Sequence, residues 1–308
     1  MKMLRWTAIA IVTLAAVLHV PTVAMAQPPT ELMLAVDLQN EIIVFNSTDP
    51  CTILNRVPIT NLPGGEKIRG IDFRQGGTPS SPVYALGTAS RLYLVPPSGV
   101  ATQIGTGQFS PLLSGTSFGF DFNPVADRIR VVSNTGQNLR LNPDTGAVAA
   151  VDTPLSFGPG PNQGQTPRVI GAAYTNPDID PNTGTTLYDV DFGIDSFVIQ
   201  NPPNDGILVG ASPLGVKVID PVGFDISLTG LAYVLLPQVR PELGNLACDN
   251  NAIQEFALLT YANIGSNSTL IDAQAVRSRR QLFGLAVVPE LGDDLAPETE
   301  GASTWANP

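Results

Sequence analysis

Short apolar runs alternate with turn-forming residues along almost the whole chain. Runs such as VYALGT (83–88), IRVVSN (129–134) and LYDVDF (187–192) have the length and residue types of β-strands. Turns such as NPDTG (142–146) separate them, because glycine accepts a positive φ and Asp bonds its own backbone. The pattern predicts an all-β fold.

One short pattern recurs at intervals of about 50 residues, which is the period of a propeller blade. Its copies all begin with glycine, and they are GIDF (70–73), GFDF (119–122), GAAY (171–174), GFDI (223–226) and GLAV (284–287). Three more strand-like runs follow each of the first four copies. Each unit therefore predicts four short antiparallel strands, as in a β-propeller.

The two ends of the chain complement one another. Segment 32–59 holds three strand-like runs that match strands two, three and four of a unit, without a first strand before them. The missing first strand stands at 283–288. We therefore predict five four-stranded blades in a ring that closes when 283–288 joins blade 32–59, which removes the exposed edges of an open array. A β-sandwich or a stacked solenoid is the alternative, but neither explains the displaced strand.

The chain divides into three predicted regions. Residues 1–26 have the basic start, apolar stretch and small-x-small end of a secretory signal peptide. The apolar stretch is short for a membrane span, so we predict a secreted or periplasmic protein without membrane insertion in the mature form. Residues 27–290 are predicted to form one propeller domain, and 291–308 a flexible acidic tail.

Composition excludes several function classes. A formal net charge of −11 argues against nucleic acid as a partner. The single histidine, His19, lies in the predicted signal peptide, so the mature chain has no Ser-His-Asp triad and no His-ligated metal. Trp6 lies in the same segment and Trp305 in the predicted tail. The predicted propeller body therefore contains no tryptophan.

Two cysteines remain, Cys51 and Cys248. An exported chain can keep a disulfide, and the two cysteines belong to units one and five, which are neighbours in a closed ring. The simplest blade geometry, however, places Cys248 in a loop at one face and Cys51 near the other. A disulfide needs Cα atoms within roughly 7 Å, so the geometry argues slightly against the bond and leaves it open.

One stretch resembles a known family. This is GFDFNPVADRIRVVSNTGQNLRLNPDTGAVAAVD (119–152), with the pattern GFDFNP…DRIRVVS…NLRLNPDTG. It resembles an uncharacterised family of secreted bacterial proteins, known only as a domain of unknown function, and the resemblance covers about 32–288. It implies a secreted, propeller-like protein and no particular activity, substrate or catalytic residue.

Strand one carries an Asp in three units, at Asp72, Asp121 and Asp225, whereas the other two have Ala173 and Ala286. Strand one of a blade lines the central channel. Three carboxylates there could bind a cation or shift one another's pKa into a catalytic range. A repeated Asp more often accepts hydrogen bonds from neighbouring backbone, so we interpret the three as structural and keep them as catalytic candidates.

Two arginines form a weaker candidate site for ligand binding. Arg128 and Arg130 share one face of a strand and could hold an anionic ligand, although an ion pair at the surface or between blades is favoured.

The loop DIDPNTG (178–184) offers a candidate metal site. Asp178, Asp180 and Asn182 have the alternate spacing of a calcium loop, with Asp189 at its last carboxylate position. The glycine stands one place late and a proline interrupts the loop, so an ordinary turn is favoured. We predict no cofactor, with calcium as the alternative.

These features favour a non-enzymatic exported propeller that serves binding or cell-envelope interaction, with a protein or a glycan as partner.

Whether the protein is an enzyme stays open. The alternative is a carbohydrate-active hydrolase or lyase, since two carboxylates at a suitable separation suffice. Asp72, Asp121 and Asp225 would be its catalytic residues. An open pocket with two of them about 5–10 Å apart would favour this alternative, and capping of all three by backbone N–H groups would oppose it.

Overall fold

A computed structural model of the chain describes residues 28–180, 182–220, 222–237, 243, 246–248, 256–265, 268–278, 280–289 and 303–307. The predicted signal peptide lies outside these residues. Within them, no helix is long and apolar enough to cross a membrane.

The described residues form 21 strands and one short 3₁₀ helix at Pro203–Asp205. In chain order the strands are β1 (Leu32–Asp37), β2 (Glu41–Asn46), β3 (Asp49–Pro58), β4 (Ile68–Asp72), β5 (Val83–Gly87), β6 (Arg91–Val95), β7 (Thr102–Ile104), β8 (Phe118–Asn123), β9 (Arg128–Ser133), β10 (Asn138–Leu141), β11 (Val148–Val151), β12 (Ser156–Phe157), β13 (Val169–Tyr174), β14 (Leu187–Asp191), β15 (Ser196–Gln200), β16 (Ile207–Pro213), β17 (Gly223–Ile226), β18 (Ala232–Pro237), β19 (Phe256–Ala262), β20 (Thr269–Val276) and β21 (Leu282–Val287).

These strands form five sheets, which are the predicted blades. Blade one has the order β21-β1-β2-β3, and blade two has β4-β5-β6-β7. Blade three is β8-β9-β10-β11, and blade five is β17-β18-β19-β20. Blade four is β13-β14-β15-β16, with the two-residue β12 added in parallel to β16. The prediction of five four-stranded blades is confirmed.

The ring closes where the two ends of the chain meet. β21 pairs antiparallel with β1, so that Ala286 lies opposite Leu34. β21 also contacts β4 of blade two and β17 of blade five, and the first strands of the remaining blades contact one another in turn. The predicted closure by the C-terminal strand is therefore confirmed.

The recurring glycine is explained by the close approach of neighbouring first strands. A Cβ on Gly119 would lie 2.5 Å from the Cβ of Ala172 and 2.6 Å from its backbone nitrogen. Each of these glycines faces the residue that follows the corresponding glycine of the next blade. The same relation joins Gly70 to Phe120, Gly171 to Phe224, Gly223 to Leu285 and Gly284 to Ile71. The repeated glycine thus sets the radius of the ring.

The hydrophobic core of the described residues is divided among the interfaces between blades. One buried cluster fills each of the five interfaces. The cluster between blades one and two contains Trp305, which has no solvent exposure. Its Nε1 donates to the Ser81 carbonyl oxygen at 3.0 Å, and its ring packs edge-on against Phe73. Residues 303–307 therefore pack on the propeller, in contrast to the predicted flexible tail, because the large indole finds an apolar site there.

Cys51 and Cys248 form a disulfide with 5.2 Å between their Cα atoms. The sequence argument that placed them near opposite faces is wrong. Cys51 lies in β3, the outer strand of blade one, beside the end of β20, the outer strand of blade five, where the Arg277 N–H donates to the Pro50 carbonyl oxygen at 3.1 Å. Cys248 lies beside the same strand end, with its Sγ 3.7 Å from the Ala275 carbonyl oxygen, so the bond links blade one to blade five.

Candidate functional site

The three repeated Asp residues meet at one end of the central channel. Asp72, Asp121 and Asp225 lie near the ends of β4, β8 and β17, the first strands of blades two, three and five. Each offers a carboxylate oxygen, and these oxygens lie within 4.8 Å of one another. All three side chains are buried. The ring symmetry therefore brings together residues that stand far apart in the sequence.

Each of these Asp residues accepts a hydrogen bond from the next blade. The Asp72 carboxylate accepts the Phe122 N–H, and the Asp121 carboxylate accepts the Tyr174 N–H, both at 2.7 Å. The Asp225 carboxylate accepts the Val287 N–H at 2.6 Å. The Asp thus ties its blade to the first strand of its neighbour.

The two blades with Ala at this position are compensated by the blade that follows. Ala173 offers no carboxylate to the Ile226 N–H, which donates instead to Asp225 of its own blade at 2.6 Å. Ala286 likewise offers no carboxylate to the Phe73 N–H, which donates instead to Asp72 of its own blade at 2.7 Å. Five backbone N–H groups, one from each blade, are therefore bound by three carboxylates. Only Oδ1 of Asp121 receives no bond from this ring of N–H groups.

Burial and mutual repulsion favour the protonated forms of these carboxyl groups. Burial raises the pKa of Asp72 well above its ordinary value, and the Asp225 charge raises it further. Burial, then Asp72 and Asp225, raise the pKa of Asp121 in the same way. Burial raises the pKa of Asp225 to about 7, although its two backbone hydrogen bonds oppose the shift. The cluster therefore holds less negative charge than three free carboxylates.

A cavity of about 70 Å³ opens on the cluster. Its remaining walls come from the segments after each first strand and from the residue before β1, and they include Glu31, Phe73, Arg74, Gln75, Pro124, Tyr174, Pro177, Leu228, Thr229 and Pro289. The volume is several times the roughly 10–15 Å³ that one water molecule needs. The cavity thus has the three Asp carboxyl groups at its floor and largely apolar walls.

Arg74 is the basic side chain on these walls, and acidic partners outside the cluster neutralise it. Its Nε donates to Asp127 at 2.8 Å and its Nη1 to Asp144 at 2.9 Å. These partners raise the pKa of Arg74, mainly through the hydrogen bonds to Asp127. Arg74 therefore leaves the negative charge of the Asp cluster uncompensated.

Glu31 and Gln75 were not singled out from the sequence. Glu31 is 4% exposed, and its Oε1 accepts the Thr229 hydroxyl at 2.9 Å while its Oε2 has no hydrogen-bond partner among the described residues. The Oε1 of Gln75 also has none. Both residues stand outside the repeated Gly-x-Asp pattern, so periodicity carried no signal for them.

The structure does not bring Arg128 and Arg130 together at a ligand site. Arg130 is fully buried between blades three and four, where its Nη1 donates to Asp152 at 2.7 Å and its Nη2 to Asn204 at 2.9 Å. Arg128 donates to the carbonyl oxygen of Asp127 at 2.7 Å. The Arg130–Asp152 ion pair lies within blade three, and the neutral Asn204 is the partner from blade four, so this ion pair forms inside a blade rather than between blades.

The predicted calcium loop is not assembled. Asp178 accepts the Asp180 N–H at 2.8 Å, and Asp180 accepts the Asn182 N–H at 2.9 Å, as in ordinary Asx turns. Asp189 lies in β14 without solvent exposure, and its carboxylate oxygens have no hydrogen-bond partner among the described residues. Among the described acidic residues, only the Asp72, Asp121 and Asp225 cluster has metal-ligand spacing.

The fold and the channel define the class of this protein, a closed five-bladed β-propeller with an acidic cluster at one mouth of its channel. The chain belongs to the family described as Domain of unknown function (DUF4394), whose profile matches residues 41–253. No curated protein matches it.

Two solved structures are similar to the chain at low identity. One is a glutaminyl cyclase from Myxococcus xanthus, 12% identical, with a TM-score of 0.42 and coverage of 64% of this chain and 77% of that chain. The other is a protein of unknown function from Bacteroides thetaiotaomicron VPI-5482, 13% identical, with a TM-score of 0.47 and coverage of 92% and 69%. Likeness at this level carries no argument about what this chain binds.

Proposed function

We propose that this protein is an exported, non-enzymatic binding propeller whose ligand enters the acidic cavity at the channel mouth. The observation that carries the proposal is that the cavity opens on three carboxylates, five of whose six oxygens already accept backbone N–H groups. Groups held in this way are rigid and preorganised for binding. They are poorly placed to exchange protons with a substrate.

The walls indicate the kind of ligand. Negative charge at the floor favours a ligand that presents a cationic or hydroxyl-bearing group, and the apolar rim favours contact with its carbon skeleton. Leu228, half exposed at the rim, is one such contact. The volume suits the end of a larger molecule, so the partner is a protein or a glycan that inserts one group.

Export is supported by the disulfide between Cys51 and Cys248, since such bonds persist in oxidising compartments. The signal-like segment 1–26 supports the same location. The net charge of −11 opposes nucleic acid as a partner.

The second candidate is a carbohydrate-active hydrolase or lyase. The spacing of the carboxylate oxygens, within 4.8 Å, is close to the roughly 5–5.5 Å between the carboxyl groups of retaining glycosidases. Such a mechanism needs one carboxylate free to attack and another free to give and take a proton. Only Asp121 has an oxygen outside the ring of backbone N–H bonds, so binding is the better-supported function.

Thermal melts against a panel of polysaccharides and peptides test the proposal. A ligand that binds the native state raises the melting temperature by mass action. Leu228→Trp should block the cavity and abolish this rise, whereas Val125→Trp is the matched control, since Val125 is also 50% exposed but is not among the residues that line the cavity. Release of reducing ends from a panel member by the native protein, lost in Asp121→Asn, would replace the binding proposal with the hydrolase.

A further inference from the structure

The spacing of the three Asp carboxylates matches the coordination shell of a hard cation. Their oxygens lie within 4.8 Å of one another, and calcium binds oxygen ligands at about 2.3–2.6 Å. An ion at the centre of the cluster would thus reach one oxygen from each Asp. An oxygen that accepts one backbone N–H keeps a second lone pair for a metal.

Two unpartnered oxygens on the same cavity point independently to a missing ligand. The Glu31 side chain is almost fully buried and lines the cavity, and its Oε2 makes no hydrogen bond among the described residues, although the Tyr233 hydroxyl, which also makes none, interacts with this carboxylate. Gln75 lines the cavity as well, and its Nε2 donates to Asp127 at 3.0 Å while its Oε1 has no hydrogen-bond partner in the part of the chain that the structure describes. Buried acceptors are normally satisfied, and carboxylate and amide oxygens are the donors that calcium prefers.

The electrostatics of the cavity call for positive charge. Three buried carboxylates this close cannot all be ionised unless a cation compensates them. The basic side chain on the cavity wall, Arg74, is bound to Asp127 and Asp144 instead. The five backbone N–H groups offset part of the charge but carry no net charge themselves.

We propose that Asp72, Asp121 and Asp225 bind one divalent cation, calcium, at the channel mouth, with the Glu31 carboxylate in the cavity wall nearby. The donors are all oxygens, which disfavours zinc and copper. Calcium also tolerates irregular coordination by oxygens better than magnesium, which demands near-ideal octahedral geometry. The inference deepens the proposed function and rests on it in one respect, because the cation would present the positive pole that the hydroxyl group of a hydroxyl-bearing ligand contacts.

Equilibrium dialysis of the purified protein, first stripped with EGTA, tests the cation directly and needs no organic ligand. We expect one calcium ion per chain, weaker binding of magnesium, and a melting temperature that rises with calcium concentration. Asp121→Asn keeps an oxygen to accept the Tyr174 N–H and removes the charge, so calcium affinity should fall by at least about tenfold. Asp178→Asn, in the exposed loop that also has calcium-like spacing, should bind calcium as the native protein does.

Three results would overturn the cation site: no bound calcium at millimolar concentration, unchanged affinity in Asp121→Asn, or loss of affinity in Asp178→Asn. If Asp121→Asn does not fold, Glu31→Gln provides the second variant, and dialysis of the native protein still decides whether calcium binds. Calcium binding without any response to the polysaccharide and peptide panel contradicts the proposed function alone. A panel member that binds equally with calcium and with EGTA contradicts the cation's contact with the ligand.

Discussion

Oδ2 of Asp72 lies 2.7 Å from the backbone nitrogen of Phe122, so a side chain of blade two binds the main chain of blade three. Oδ1 of the same carboxylate accepts the N–H of Phe73, its own neighbour in sequence. One side chain therefore serves two buried donors in two blades. The acidic cluster is a structural tie between blades as well as a candidate site.

Replacing Asp72 should destabilise the ring. Asp72→Ala leaves the N–H groups of Phe73 and Phe122 without acceptors, and each unsatisfied buried donor costs about 1–3 kcal/mol. We expect the free energy of unfolding in urea to fall by about 2–6 kcal/mol, with a smaller loss for Asp72→Asn, which keeps one acceptor. Asp178→Ala, in an exposed turn, should change it by no more than about 0.5 kcal/mol. Equal stability of the two Ala variants would contradict the role of Asp72.

Asp225 should make the stability depend on pH. Its pKa is raised from 3.8 to about 7, first by burial. The folded chain therefore keeps a proton that the unfolded chain has released, and the stability this proton contributes is complete below pH 3.8 and is lost as the pH rises through about 7. Asp72 and Asp121 act in the same direction.

Unfolding in urea, measured in EGTA at several pH values between about 5 and 7.5, checks this expectation. The free energy of unfolding should decrease towards the higher pH, and Asp225→Asn should flatten part of that slope. Saturating calcium should reduce the decrease, since the cation favours the ionised carboxylates. Stability that increases with pH in EGTA would show that the cluster is ionised without a cation.

The ring and the cluster could be predicted from the sequence because both depend on periodicity. Gly119 and Asp121 hold fixed places in a first strand that recurs in every unit, and first strands line the central channel, so the three Asp side chains are expected to lie at that channel. The exchange of acceptors around Ala173 and Ala286 could not be predicted. It depends on which N–H each carboxylate reaches, and this is set by the distance between neighbouring blades.

Other parts of the molecule depend on loops, whose paths leave no periodic signal. Cys248 lies within bonding distance of Cys51 in β3, so an argument from ideal blade geometry misplaced it. Trp305 was assigned to a tail by the composition around it, yet the indole is buried against Phe73. Glu31 joins the cavity from a position before β1 that no other blade shares.

A comparison of Gly119 with Gly107 distinguishes the effect of packing between blades from the effect of backbone flexibility. Gly119 has no room for a Cβ, because a Cβ there would lie 2.5 Å from the Cβ of Ala172, whereas a Cβ on Gly107 would meet nothing within 4 Å. Gly119→Ala should lower the free energy of unfolding by about 1–3 kcal/mol through overpacking against backbone. Gly107→Ala should leave it unchanged or raise it by up to about 1 kcal/mol. Urea unfolding of both variants checks this, and equal stabilities would contradict glycine as the determinant of the ring radius.

The Cys51–Cys248 disulfide should stabilise the contact between blades one and five. It joins cysteines 197 residues apart, so it restricts a long loop of the unfolded chain. Reduction, or replacement of both cysteines by Ala, should lower the free energy of unfolding by about 2–5 kcal/mol.

Hydrogen exchange should then increase in β3 and β20, which flank the bond, before it increases in β9 on the other side of the ring. A reductant should not affect the double-Ala variant, which controls for other effects of the reagent. Two free thiols titrated in the unreduced native protein, or exchange that increases equally in all blades, would contradict this account.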